Sequence, residues 1–144
     1  MNCKYPNLAE LIKYHPYPYT TFAQHANVTA EIFQAVLNGE DDLSPEEALN
    51  MCTLDGLSFE LIFSDELCML TQEDAEWVED LSRRANKYHS PSMQKAVDKL
   101  VHDYIAGHAS YCQLLGASAR VRTKEIEEEV ARFETQRRGT KLSA

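Results

Sequence analysis

The stretch from Phe22 to Gly39, FAQHANVTAEIFQAVLNG, decides the fold. Thr29 is a typical helix-capping residue, and apolar residues follow it at helical spacing. The closing Asn-Gly pair suits a helix end, because glycine tolerates the left-handed conformation found there. The pattern predicts two short helices, at about 20 to 26 and 30 to 38. Asn27 lies between them, and asparagine visits the left-handed region more readily than most residues.

The order of residue types within this stretch is informative. The pair Phe22-Ala23 precedes the turn, and the apolar Val28 and the hydroxyl cap Thr29 follow it. Phe33 and Val36 are core residues one helical turn apart, and Asn38-Gly39 closes the helix. The arrangement resembles the helix-turn-helix of lambda-repressor/Cro-like (XRE) regulators. The resemblance covers about residues 5 to 63 and implies a five-helix DNA-binding domain.

The flanking sequence predicts three further helices in this first segment, at about 7 to 14, 45 to 54 and 59 to 63. Ser44-Pro45-Glu46-Glu47 supplies a hydroxyl cap, a proline at the first helical position and a reciprocal glutamate. No strand pattern competes with the helices. We therefore expect an all-α protein in which residues 1–66 form the first domain.

The resemblance also implies which residues would touch DNA. They lie at the start of the second helix, on the recognition helix and just after it: Tyr19, Thr20, Thr29, Ala30, Glu31, Gln34, Ala35 and Asn38. Only Gln34 has a side chain that commonly reads base edges, whereas Glu31 could accept a hydrogen bond from a cytosine amino group. An alanine offers no more than a methyl contact.

Charge argues against strong DNA binding by this domain. Residues 1–66 contain two lysines, no arginine and eleven acidic side chains, whereas residues 67–144 have no net charge. Affinity for DNA comes largely from basic residues that neutralise phosphates. We therefore expect weak or lost binding of duplex DNA, unless basic residues of the second half reach flanking DNA in a dimer.

The second segment, residues 67–144, predicts longer helices. The first starts at Thr71 and runs to about Tyr88, the second spans about 90 to 115 and ends at Gly116, and the third spans about 118 to 137 and ends at Gly139. The second helix carries one apolar stripe: Met93, Val97, Leu100, Tyr104, His108, Tyr111 and Leu115. A helix of that length needs a helical hairpin or a dimer interface to cover it, so we expect a homodimer through the C-terminal helices.

No residue pattern indicates an enzyme or a cofactor. His108 and Cys112, at positions i and i+4 with His102 or Asp103 nearby, could supply two metal ligands, but zinc needs three or four and the stripe makes His108 a core or dimer-interface residue. The four cysteines lack CxxC spacing, which predicts reduced and mostly buried thiols. We expect no metal, no cofactor and no small-molecule substrate.

The chain has no run of about 18 apolar residues and no secretory signal at its start, so we expect a cytoplasmic protein without a membrane segment. Three functions fit. The first is an XRE-type regulator that binds operator DNA. The second is an acidic protein of the same fold that inhibits a nucleic-acid-handling protein through a basic surface, as an anti-CRISPR or another phage or mobile-element factor would; the partner-binding residues would be Tyr17, Tyr19, Glu31, Asp41 and Asp42. The third is a structural oligomer whose helices serve assembly.

Overall fold

The computed structural model describes residues 3–143, with side chains up to Arg138. Within these residues the chain forms helices and no extended sheet, and eight are α-helices: α1 (Pro6–Tyr14), α2 (Tyr19–Ala26), α3 (Ala30–Leu37), α4 (Pro45–Cys52), α5 (Phe59–Ile62), α6 (Ala75–Ala85), α7 (Pro91–Ile105) and α8 (Tyr111–Ser143). The all-α prediction is confirmed. None of the helices in this part of the chain has a stretch both long and apolar enough to span a membrane.

The five predicted helices of residues 1–66 are confirmed to within two residues at each end. The hydroxyl of Thr29 accepts a hydrogen bond from the Ile32 amide at 3.2 Å and caps α3. Ser44 and Glu47 form a reciprocal capping box at the start of α4. Asn27, at φ 65°, ends α2 in the left-handed conformation that the sequence predicts.

The prediction of one helix from about 90 to 115 is wrong, because a loop interrupts the helix between α7 and α8. Gly107, at φ +79°, follows the end of α7 in a conformation that glycine adopts without steric cost. Ser110 then starts α8: its amide donates to Gln113 Oε1 at 2.8 Å, and its hydroxyl accepts from the Gln113 amide at 3.2 Å. His108 consequently lies exposed in the loop, not on the apolar stripe where the sequence placed it.

The predicted helix end at Gly116 is also wrong, since Gly116 lies inside α8. An ideal Cβ built on Gly116 would lie 2.5 Å from both the carbonyl carbon and the carbonyl oxygen of Tyr14 in α1. The glycine therefore permits a close crossing of α1 and α8. The helix predicted at about 118 to 137 is the outer part of α8, which continues past Gly139 and has 33 residues, about 50 Å at 1.5 Å per residue.

The apolar interior comprises two clusters that share α8. The first is built mainly from α1 to α5 and includes Phe22, Phe33 and Met51, together with Cys112 of α8. The second is built from α6, α7 and α8 and includes Leu81, Val97, Leu100, Leu114 and Val121. Helix α8 thus packs against both halves of the chain, mainly through α1, α6 and α7.

A buried asparagine fixes the segment that joins the two halves. Asn7 is 1% exposed, and its amide nitrogen donates to the carbonyls of Leu61 at 2.9 Å and Glu66 at 2.7 Å. Its side-chain oxygen accepts from the Cys68 amide at 2.8 Å. The chain then forms a single antiparallel bridge between Met69 and Ser110, which places it beside the start of α8.

Candidate interaction site on helix α3

Helix α3 buries one side and exposes the other. Phe33, Val36 and Leu37 point into the first apolar cluster, whereas Glu31, Ile32 and Gln34 are exposed. This division follows from the helical period, since the core residues recur at three- and four-residue spacing. Because Ile32 remains 40% exposed, the outer side of α3 combines a carboxylate, an amide and an apolar side chain.

The residues that the resemblance singles out lie on α2, on α3 or at their ends. Thr20, Thr29, Glu31, Gln34 and Asn38 are exposed, and the remaining three, Tyr19, Ala30 and Ala35, are half-buried. The Tyr19 ring stacks on Phe33 with a centroid separation of 6.5 Å, so it serves the edge of the core as well as the surface. Because α2 and α3 pack against one another, this set occupies one corner of the molecule.

Two acidic residues predicted to bind a partner have structural roles in the loop between α3 and α4. Asp42 accepts hydrogen bonds from the Tyr5 hydroxyl at 2.8 Å and from the Leu43 amide at 2.9 Å, and Lys4 lies 3.6 Å away. Asp41 accepts from the Asp42 amide at 2.7 Å. Burial, together with the bond to Asp42, raises the pKa of Tyr5 to about 12. Asp42 therefore anchors the loop, while Asp41 remains exposed beside it.

The sequence on both sides of α3 contains no lysine or arginine side chain over a long stretch. No lysine or arginine occurs between Lys13 and Arg83, a stretch that contains fifteen carboxylates. The flanking lysines are also engaged, because Lys4 pairs with Asp42 and Lys13 lies 5.2 Å from the centre of the Tyr14 ring. Within residues 3–138, Glu31 has no ion-pair partner, so no basic side chain neutralises its charge.

Several basic residues of the second half are paired with carboxylates. Arg84 binds Glu125 with two hydrogen bonds of 2.8 Å, and Lys124 lies 3.3 Å from Glu127. Arg122 of α8 binds Asp55, at the turn that follows α4. Arg132, Arg137 and Arg138 lie on the exposed outer part of α8, and Lys141 falls outside the described side chains. In the single chain, then, Arg84, Arg122 and Lys124 each have a carboxylate partner other than Glu31.

The loop between α1 and α2 contains a network that sequence analysis missed. His15 is buried and contacts Asp55, forty residues away, at 3.1 Å. Tyr17, one of the predicted partner-binding residues, packs on the His15 ring at 4.8 Å and remains 40% exposed. Nothing near His15 in the sequence indicates Asp55 or Arg122 as its neighbours, because the contact depends on the folding of three separate elements.

The thiols and histidines do not form a reactive centre among the residues that the structure describes. Burial raises the pKa of Cys52 to about 11 and that of Cys112 to about 12, which keeps both thiols protonated at neutral pH. Within the same range, no group of three histidine, cysteine or acidic residues is arranged around a common point as metal ligands would be. Cys112 belongs to the first apolar cluster, whereas His108 lies in the preceding loop.

Comparison of this chain with protein-family models, with curated proteins and with solved structures gives no match.

Proposed function

We propose that this chain is a non-enzymatic regulatory protein of the helix-turn-helix type, with residues 1–66 as a lambda-repressor-like domain that binds duplex DNA weakly or not at all. The observation that carries the proposal is the exposed Glu31 on α3, which pairs with no basic side chain among the described residues and lies within a stretch free of lysine and arginine from residue 14 to residue 82. The short helices α2 and α3, the left-handed Asn27 and the Thr29 cap support the domain type.

The position of Glu31 explains why DNA binding would be poor. It lies in the first turn of α3, where the positive end of the helix dipole attracts an anion. In a DNA-binding helix, a phosphate of the backbone would occupy that region. The Glu31 carboxylate competes with such a phosphate and repels it, and the exposed Asp41 adds to the repulsion.

A binding assay with designed charge reversals tests this proposal. Wild-type protein and a Glu31→Lys, Asp41→Lys variant are titrated with random and genomic duplexes in about 50 mM salt, where phosphate contacts have their greatest effect. We expect no nanomolar binding by the wild type and salt-dependent binding by the variant. A matched control, Glu60→Lys with Glu76→Lys, makes the same charge change at exposed positions on α5 and α6.

Two outcomes would contradict the proposal. Nanomolar binding by the wild type would refute the charge argument. Equal binding by the variant and by its matched control would show that the α3 corner is not a DNA-facing surface.

A second function is favoured by the combination of charge and apolar exposure on the same corner. Ile32 is 40% exposed and follows Glu31 on α3, and Tyr17, also 40% exposed, lies in the turn that leads into α2; exposed apolar side chains on an acidic surface suit a basic protein partner with an apolar contact. We propose, as the alternative, that this corner binds and inhibits a protein whose basic groove normally holds nucleic acid. The residues available for it are Tyr17, Ile32, Glu31 and Asp41, whereas Asp42 is occupied in the loop.

Capture from a host lysate, repeated with charge-reversed protein, tests the alternative. Glu31→Lys with Asp41→Lys is compared with the control reversal at Glu60 and Glu76, and Asp42 is left intact to preserve the loop. Loss of the captured protein only in the first variant supports a partner at the α3 corner. Equal capture by both removes that corner from consideration.

We further propose that the protein forms a homodimer through the outer half of α8. Every residue from Ile126 to Arg138 is exposed, and Ile126, Val130 and Phe133 recur at the four- and three-residue spacing of a two-helix interface. They are 56%, 51% and 64% exposed, so a dimer would cover six half-exposed apolar side chains. At about 1.5–3 kcal/mol for each fully buried side chain, covering these six half-exposed side chains contributes about as much as association costs, which predicts a weak dimer whose population rises with protein concentration.

A further inference from the structure

The His15 side chain, 1% exposed, uses both ring nitrogens in hydrogen bonds. The amide of Tyr17 donates to Nδ1 at 3.2 Å, and Nε2 lies 3.1 Å from Asp55 Oδ2. A neutral imidazole has one donor and one acceptor nitrogen, and Nδ1 faces an N–H group. The proton is therefore on Nε2, which donates to Asp55, and the ring is neutral.

Three charged residues act on this imidazole from two elements. Asp55 comes from the turn at Leu54–Gly56, and Arg122 of α8 binds both of its carboxylate oxygens, at 2.6 and 2.7 Å. Arg120, on the same helix, is the third. Burial is the largest influence and lowers the pKa of His15 below 6.5; Asp55 opposes this change, and the two arginines reinforce it.

We propose that His15 is a proton-operated latch that holds the Tyr17 turn against the core while it is neutral and releases that turn when Nδ1 takes up a proton. Protonation would place two N–H donors opposite each other, so the Tyr17 amide would lose its acceptor. Pro16 and Pro18 flank Tyr17 and carry no amide hydrogen, so the Tyr17 amide supplies the backbone donor that ties this turn to Nδ1. The turn leads directly into α2, so its release alters the start of the α2–α3 corner, whatever ligand that corner binds.

The geometry also explains why Asp55 would not hold a protonated ring by itself. Its carboxylate is already shared with Arg122, which offsets much of its negative charge. The Phe22 ring packs edge-on against the imidazole at 5.2 Å, so a charged ring would lie against an apolar side chain. The stabilising arrangement is therefore complete above pH 6.5, the ordinary value in the unfolded chain, and is lost as the pH falls toward the lower value of the folded state.

The experiment follows the Tyr17 backbone amide and the His15 ring by NMR while the pH of the full-length protein is lowered from 7.5. We expect the Tyr17 amide resonance to shift upfield with a midpoint below 6.5 that matches the ring titration. His15→Gln should abolish this titration. His25→Asn, a change at an exposed histidine on α2, should leave it intact.

Two further variants keep His15 in place and distinguish the latch from a loss of folding. Asp55→Asn removes the group that raises the pKa and should move the midpoint to lower pH. Arg122→Met removes a group that lowers it and should move the midpoint to higher pH. A flat Tyr17 resonance while the ring titrates, identical midpoints in both variants, or global unfolding before His15 protonates would each overturn the proposal.

Discussion

Replacing Gly116 with alanine should destabilise the protein, because this glycine lies where α8 crosses α1. The added Cβ would be 2.5 Å from two backbone atoms of Tyr14 and 2.8 Å from its Cβ, whereas ordinary contacts begin at 3.4 Å. The two helices would have to separate by about 0.9 Å to relieve the closest contacts. A flexible side chain could rotate away, but a backbone carbonyl within α1 cannot.

The expected magnitude is the balance of two opposing effects. Alanine is better than glycine inside a helix by about 1 kcal/mol. Overpacking typically costs about 1–3 kcal/mol and more where the backbone has to move. Separation of α1 from α8 also loosens Leu8, Leu11 and Cys112, each 0% exposed. We expect a net loss of about 2 kcal/mol in the free energy of unfolding.

Urea denaturation followed by far-ultraviolet circular dichroism measures this loss. With a slope of about 2 kcal/mol/M, the midpoint should fall by about 1 M. Gly116→Ala in a Tyr14→Ala background should lower the free energy of unfolding by nearly as much, because two of the three closest atoms belong to the backbone of residue 14. Unchanged or increased stability of Gly116→Ala would refute the close crossing of α1 and α8.

Four further changes test other contacts. Asn7→Ala leaves two carbonyls and one amide without their buried partner. It should lower the free energy of unfolding, measured by urea denaturation, by about 3 kcal/mol. A loss below about 1 kcal/mol would contradict the role of Asn7 in fixing the joining segment. Ser110→Ala removes the cap of α8 and should cost about 1 kcal/mol in the same assay, while an unchanged midpoint would argue against the capping box. The Arg84 hydrogen bonds lower the pKa of Glu125 below 4.5, so the stability they provide is present above pH 4.5 and is lost as the pH falls through the pKa of the folded state. Arg84→Met should therefore flatten the decline of the melting temperature at acid pH. An unchanged decline would count against the contribution of this ion pair. Phe133→Glu should shift light-scattering masses toward the monomer across a series of rising protein concentrations, and a wild-type mass that stays monomeric throughout the series would remove the proposed dimer.

The helices of the first segment could be predicted because their ends are encoded locally. Thr29 and Ser44 cap the helices that they precede, and Asn27 adopts the turn conformation its side chain tolerates. Each of these signals acts over three or four residues. They fix helix bounds well without fixing how the helices are arranged.

The second segment was harder to predict because apolar periodicity continued across a helix break. Gly107 and the Ser110–Gln113 pair were the local signals that could have divided α7 from α8. Gly116 gave the opposite error, since its role is a close approach to Tyr14, about a hundred residues earlier in the chain. A glycine that ends a helix and a glycine that admits a neighbouring helix look identical in sequence.

The candidate site was predictable in composition and less so in the roles of its residues. The exposure of Glu31 and Gln34 follows from the phase of α3, and the lack of cations is a property of the sequence. The use of Asp42 as a loop anchor depends on Tyr5, thirty-seven residues away. The His15 network likewise depends on contacts that form only when α1 and α8 are in place.

Helix α8 separates the two apolar clusters and extends beyond both. Cys112 and Leu115 face the first cluster, whereas Leu114, Ala117 and Val121 face the second, so opposite sides of the same helix are buried. The exposed stripe at Ile126, Val130 and Phe133 continues this helix without a break. Because α8 is held on both sides and tied to Asp55 by Arg122, a dimer formed through its outer half would also fix the separation of the two α3 corners. A ligand that spans both corners would then bind with a geometry set by α8.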